Sequence, residues 1–233
     1  MAVRDHLALA LDLDDLVEAT RLARQLRPCF GVAKVGLELF SAAGPEAVGA
    51  MRDLGYDVFL DLKLHDIPTT VGKSARVLGA LGVSYLTLHS SGGAPMLQAG
   101  VEGLMSGAEA AGLAVPKAIG VTVLTSDADA PPEVLIGRIA AVVEAGCQGF
   151  VCSALDVHLA KELAPRLFAI VPGTRPAGAD THDQARVTTL ERALADGADL
   201  LVIGRIVTHA PDPRAAAERL VSGLLADSVV ADL

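Results

Sequence analysis

At 233 residues the chain is long for one average domain but suits a single α/β barrel, and no Ser/Gly-rich or charged linker divides it, so residues 1–233 are read as one domain. A formal net charge of −9 with only 3% aromatic residues excludes a nucleic-acid binder, which needs a basic stripe and stacking platforms. No apolar run reaches the ~18 residues of a membrane span and the start lacks a signal-peptide pattern, so a cytoplasmic protein with no membrane partner is expected.

The apolar fraction, 52%, then belongs to a core. Cys29, Cys147 and Cys152 lie in or beside apolar segments without the spacing of a zinc site. They read as buried, inert thiols in a reducing compartment.

In chain order, short apolar runs alternate with amphipathic ones. A strand is expected at 7–12, a helix at 14–27, a strand at 31–36 and a helix at 45–54. Strand 58–63 and helix 68–81 follow, then strand 85–90 and helix 95–111, strand 118–123 and helix 132–145. The last three pairs are 149–153 with 154–163, 168–172 with 189–196, and 200–204 with 213–225. Several helices open with Pro in the first turn and close near Gly. Eight such units with no hairpin signal imply an all-parallel sheet closed as a (β/α)8 TIM barrel, with a doubly wound open sheet as the alternative.

The barrel locates the chemistry, because sites of this fold gather at the carboxyl ends of the strands. The third strand runs Val58-Phe59-Leu60-Asp61-Leu62-Lys63, so Phe59, Asp61 and Lys63 share one face. Two opposite charges in so apolar a run imply either mutual pairing or chemistry. Asp12 ends the first strand, and Lys34 stands in line with Val32 on the second. Both are expected to face inward. Strand four places Tyr85, Thr87 and His89 on one face, and strand five runs into Leu124-Thr125-Ser126. The segment after Gly173 is long for a βα loop, as lids are. Strand eight ends in Gly204-Arg205, where glycine permits close approach and arginine offers a fork of donors. Loops after strands seven and eight commonly cradle phosphate, so a phosphorylated small molecule is the expected ligand.

These residues carry a resemblance. FLDLKLHDIPTTV, with LALD, AKVG, TLHSSGGA, VTVLTS, PGTRP, the Asp183-Gln184 pair and VIGR in order along the chain, resembles the orotidine 5′-phosphate decarboxylase family. The resemblance implies a cofactor-independent, metal-free decarboxylase that makes uridine 5′-phosphate in pyrimidine synthesis. It implies that Lys63 protonates the ring carbon as carbon dioxide leaves, with Asp61 against the substrate carboxylate. Lys34 and Asp66 complete an alternating charged tetrad. Asp66, with Ile67 and Thr70, is implied to enter the partner's site in a homodimer. Asp12 and Lys34 resemble ribose contacts, Thr125 the residue that reads the pyrimidine edge, and Arg205 with Gly204 the phosphate clamp. Arg175 and Gln184 match positions that hold phosphate from the closing loop.

The chain departs from the family pattern at Thr69, where Asn is common, and at Ile206, where Pro is common. Simpler roles stand beside these. Asp66 precedes Pro68 and could cap the next helix, and Asp12 or Asp14 could cap the first. Two other functions remain open: a metal-dependent sugar-phosphate decarboxylase or aldolase, and a silent barrel that binds a phosphate ligand. His65 and His89 invite a metal, but Lys34 and Lys63 would repel one.

Overall fold

The computed structural model describes residues 2–124, 127, 130–173 and 189–226. Eight parallel strands pair in sequence order and close on themselves, β8 returning to β1. They are β1 (Leu7–Leu11), β2 (Val32–Gly36), β3 (Asp57–Leu64), β4 (Tyr85–His89), β5 (Lys117–Val121), β6 (Gly149–Val151), β7 (Phe168–Pro172) and β8 (Leu200–Ile203). The expected barrel is therefore observed, and the open-sheet alternative is excluded.

The helices around it are α1 (Leu16–Leu26), α2 (Leu37–Ala43), α3 (Pro45–Asp53), α4 (Pro68–Gly79), α5 (Gly93–Ala110), α6 (Pro132–Glu144), α7 (Val157–Leu163), α8 (Leu190–Ala195), α9 (Arg205–Thr208) and α10 (Pro213–Ala226). Proline opens α3, α4 and α6, where a missing N–H costs nothing. Sequence reading overlooked α2 and α9. Each is short, seven and four residues, and directly follows a strand, too brief for a helical period to emerge. The cap of α1 is neither Asp12 nor Asp14 but Asp15, whose carboxylate accepts from Glu18 N–H at 2.9 Å. Asp66 is not the cap of α4 either: that position belongs to Ile67, and Asp66 Oδ1 accepts from the Ile67 N–H instead.

Strand alternation builds two cores. Leu7, Leu9 and Leu11 face the helices with Val58, Leu60, Leu86 and Leu88. Ala8, Ala10, Val32, Phe59, Ile119 and Ile170 fill the barrel interior. At its lower end Tyr85 packs edge-on to Phe59 and stacks on Phe168, with centroids 6.1 and 5.5 Å away. The ammonium of Lys117 lies 5.3 Å from the Tyr85 and Phe168 ring centroids. Burial, then Asp57 and Asp199, push the Tyr85 phenol up to about 12, keeping it neutral in this plug. The interior is thus closed below.

Helices α4 and α5 approach backbone to backbone. A Cβ on Gly103 would come within 2.1 Å of the Gly72 carbonyl oxygen, and one on Gly107 within 1.9 Å of that of Arg76. No side chain fits this seam. Its consequence is positional: α4 carries Ile67 and Thr70 at its start, and the glycine contact holds that helix fixed against its neighbour.

Candidate active site

A cavity of about 270 Å³ opens at the carboxyl ends of the strands. Its walls combine apolar residues of the inner core with five charged ones: Asp12, Lys34, Asp61, Lys63 and Arg205. Three cations against two carboxylates leave one net positive charge, in a chain of net charge −9. Such a local inversion favours an anionic ligand.

Register explains the convergence. Ala10, Lys34 and Phe59 lie side by side across β1, β2 and β3, and Gly36 and Asp61 form the next layer up. Lys34 is 8% exposed, and its Nζ donates to Asp12 Oδ1 at 2.8 Å. A buried ammonium requires such a partner. Gly36 leaves the room: a Cβ there would lie 3.0 Å from Lys34 Nζ and 3.3 Å from Asp12 Oδ1.

The second ion pair sits on β3, where Lys63 Nζ donates to Asp61 Oδ2 at 2.8 Å. Both side chains face the cavity, as alternation predicts. The backbone there is irregular. Leu60 pairs with Leu86 and Leu64 with Leu88, so four steps along β3 match two along β4. Residues 61, 62 and 63 all stand opposite Thr87. Within this bulge Lys63 adopts a left-handed φ of 50°, the one such non-glycine among the described residues. That conformation costs a side-chain-bearing residue roughly 1–2 kcal/mol, and functional sites are where such strain is retained. The buried Thr87 hydroxyl accepts from Lys63 N–H at 2.8 Å and donates to Asp61 Oδ1 at 3.1 Å.

The opposite wall comes from β7 and β8. Gly173 and Gly204 line it with Arg205, the first residue of α9. A Cβ on Gly204 would only touch that of Ala10, at 3.6 Å, so packing alone does not demand glycine there. What its absence leaves is exposed backbone beside an arginine.

Not every expected residue converges. Asp66, Ile67 and Thr70 are exposed and do not line the cavity of their own chain; Ile67, 66% exposed, is an apolar residue facing solvent. Lys34 pairs with Asp12, so one chain presents two separate ion pairs and not a closed tetrad. Thr125, Arg175 and Gln184 lie outside the described residues. Thr69, at the start of α4, is exposed, whereas Ile206 lines the cavity next to Arg205. Gly36 and Thr87 were given no role from sequence. Thr87 had left one signal, a hydroxyl at an inward position of an apolar strand.

His65 and His89 stack beside the bulge, with centroids 5.4 Å apart. Burial first, then the positive charges of Arg138, His65 and Lys63, hold the His89 imidazole below the usual histidine range. The cysteines are buried as expected. Burial pushes the Cys147 thiol up to about 12 and raises Cys152 further, so neither offers a nucleophile.

A closed (β/α)8 barrel with paired lysines and aspartates at its carboxyl rim, facing a Gly-Arg wall, defines an enzyme-type barrel for a small anionic substrate. Residues 5–220 match the model of the orotidine 5′-phosphate decarboxylase / HUMPS family, and the chain belongs to that family. It is 45% identical over 235 residues to an orotidine 5′-phosphate decarboxylase of Anaeromyxobacter sp. (strain K), covering 96% of this chain and 100% of that protein. It is 43% identical to that of Moorella thermoacetica, over 95% of this chain and 93% of the other. Among solved structures, the orotidine 5′-phosphate decarboxylase of Lactobacillus acidophilus superposes with a TM-score of 0.79 at 33% identity, covering 94% and 98% of the two chains. Among the described residues no helix is long and apolar enough to cross a membrane.

Proposed function

We propose that this chain decarboxylates orotidine 5′-phosphate to uridine 5′-phosphate, with Lys63 as the proton donor. One observation carries the reading: the Lys63 ammonium, held on Asp61 at 2.8 Å, faces the same cavity as Arg205. A substrate whose phosphate meets Arg205 and the Gly204 backbone, and whose ribose meets Asp12 and Lys34, presents its base towards Asp61 and Lys63.

Loss of carbon dioxide from an sp² ring carbon leaves a localised carbanion with no adjacent electron sink. A cation waiting where the charge develops stabilises it. Lys63 supplies that charge, and its proton then forms the new C–H bond. Two carboxylates about 4 Å apart repel by only ~4 kcal/mol at an effective dielectric of 20, against roughly 8–23 kcal/mol of barrier lowering by enzymes in general. Repulsion of the substrate carboxylate by Asp61 is therefore not the whole explanation. The main role of Asp61 is to hold the lysine, while phosphate binding remote from the reacting carbon adds to transition-state stabilisation. Protein groups alone carry these steps.

The same reading assigns Asp66, Ile67 and Thr70 to the site of a second copy in a homodimer. Their exposure supports it, as does a second exposed apolar residue, Leu37, 58% exposed at the start of α2, which like Ile67 follows the carboxyl end of a strand.

Turnover of orotidine 5′-phosphate in the presence of chelator tests the reaction. The expected result is full wild-type activity and a loss of at least about 10³-fold in Lys63→Ala. Full activity in that variant, or dependence on added metal, overturns it.

A further inference from the structure

We propose that Thr87 is a positioning residue for the decarboxylation, one hydroxyl that locks both the backbone and the counter-ion of Lys63. This inference rests on the role assigned to Lys63 above.

The geometry is a closed ring of contacts. Lys63 N–H donates to Thr87 Oγ1 at 2.8 Å, Thr87 Oγ1 donates to Asp61 Oδ1 at 3.1 Å, and Asp61 Oδ2 accepts from Lys63 Nζ at 2.8 Å. A hydroxyl has one proton and two lone pairs; here one lone pair accepts from the lysine amide, and the carboxylate on its other side can only accept. Its proton is therefore directed at Asp61. Main chain and side chain of Lys63 are thus tied to the same carboxylate, one through Thr87 and one directly.

The bulge makes this tie necessary. Between the Leu60–Leu86 and Leu64–Leu88 pairs the regular β3–β4 ladder is interrupted, and Lys63 stands at φ 50°. The Thr87 side chain stands in for the missing ladder acceptor. Thr87 is 0% exposed, packed on β4 in register with Ile119 of β5, and a β-branched side chain has few rotamers to choose from. A carboxylate held on both oxygens cannot rotate, and an ammonium held on that carboxylate is fixed for proton delivery.

Thr87→Val keeps the shape and removes the hydroxyl; Thr87→Ser restores it. The assay is steady-state turnover of orotidine 5′-phosphate, paired with hydrogen exchange at the Lys63 amide in the intact protein. In Thr87→Val the expected result is a 10- to 100-fold fall in kcat with KM within threefold, because the phosphate and ribose contacts lie on other strands. Exchange at the Lys63 amide accelerates at least tenfold, and Thr87→Ser returns kcat to within about threefold of wild type. A merely structural threonine would lower the melting temperature without dividing kcat from KM, and that outcome overturns the proposal. So does unchanged exchange at Lys63. Wild-type protein without turnover would overturn the functional reading itself, a result distinct from active wild type with active Thr87→Val.

Discussion

Gly36 sits within one side chain's reach of Lys34: a Cβ at Gly36 would stand 3.0 Å from the lysine's Nζ, closer than a relaxed contact allows. The backbone φ of −92° is open to any residue, so only the space beside the ammonium argues for glycine here. Gly36→Ala is expected to fold with an unchanged melting temperature while pushing the ammonium off Asp12. Displacement of a positioning group by a fraction of an ångström to 1 Å lowers rates by up to about 100-fold. Steady-state kinetics should therefore show catalytic efficiency falling roughly 10- to 100-fold at constant thermal stability.

Arg205 and Lys63 are set apart by a second substitution. Arginine offers a planar fork that an ammonium does not reproduce. Arg205→Lys is expected to raise KM about tenfold and leave kcat within a few-fold, as a contact to a remote phosphate should when its bidentate geometry is lost. Steady-state kinetics read the split directly; a fall in kcat with unchanged KM would place Arg205 in the chemical step instead.

Shared sites are tested by mixing. Lys63→Ala and Asp66→Ala chains are each expected to be inactive alone. After unfolding and refolding together in equal amounts, half the dimers are mixed and half the sites in those carry both residues, so about one quarter of wild-type activity returns. Mixed dimers that stay inactive would remove Asp66 from the partner's site.

The glycine seam predicts a stability effect. Gly107→Ala places a methyl 1.9 Å from the Arg76 carbonyl oxygen, which is backbone and cannot swing aside. Overpacking of this kind costs typically 1–3 kcal/mol, occasionally more. Chemical denaturation should show a loss at or above the top of that range, whereas Gly137→Ala, with nothing within 4 Å, should be neutral or slightly stabilising.

His89 gives a pH dependence of known sign. Its folded pKa lies below the unfolded value of about 6.5, so the unfolded chain binds the proton more readily. The stability it contributes is complete above about pH 6.5 and is lost as pH falls through the window towards its folded pKa. His89→Gln should flatten the stability profile in that window, and NMR titration should find the His89 imidazole taking up its proton below the usual histidine range.

Much of the fold was written in local pattern. Alternating apolar runs of strand length and amphipathic runs of helix length marked eight βα units, and the observed β7 coincides with the expected segment 168–172. Prolines marked the openings of α3, α4 and α6 because their chemistry is local. Where neighbours compete, pattern failed. Helix α5 begins at Gly93 and not at Pro95, because a 3-10 turn over Ser90–Gly92 runs straight into it and Gly93 takes a positive φ of 76°. Asp12 and Asp14 were equivalent as caps on paper, and Asp15 was not considered. Lys34 draws Asp12 away, and the helix takes Asp15.

The charged residues that line the cavity were therefore legible in the sequence: Lys34, Asp61 and Lys63 lie on inward positions of β2 and β3, Asp12 just past β1 and Arg205 just past β8, and barrel closure sends them to one rim. The sequence could not show how they are held. The pairing of Lys34 with Asp12, the room left by Gly36, and the bulge that turns Lys63 onto the Thr87 hydroxyl all depend on register between strands distant in the chain. Register is a property of the closed sheet, set by packing of both cores at once, and no single strand contains it.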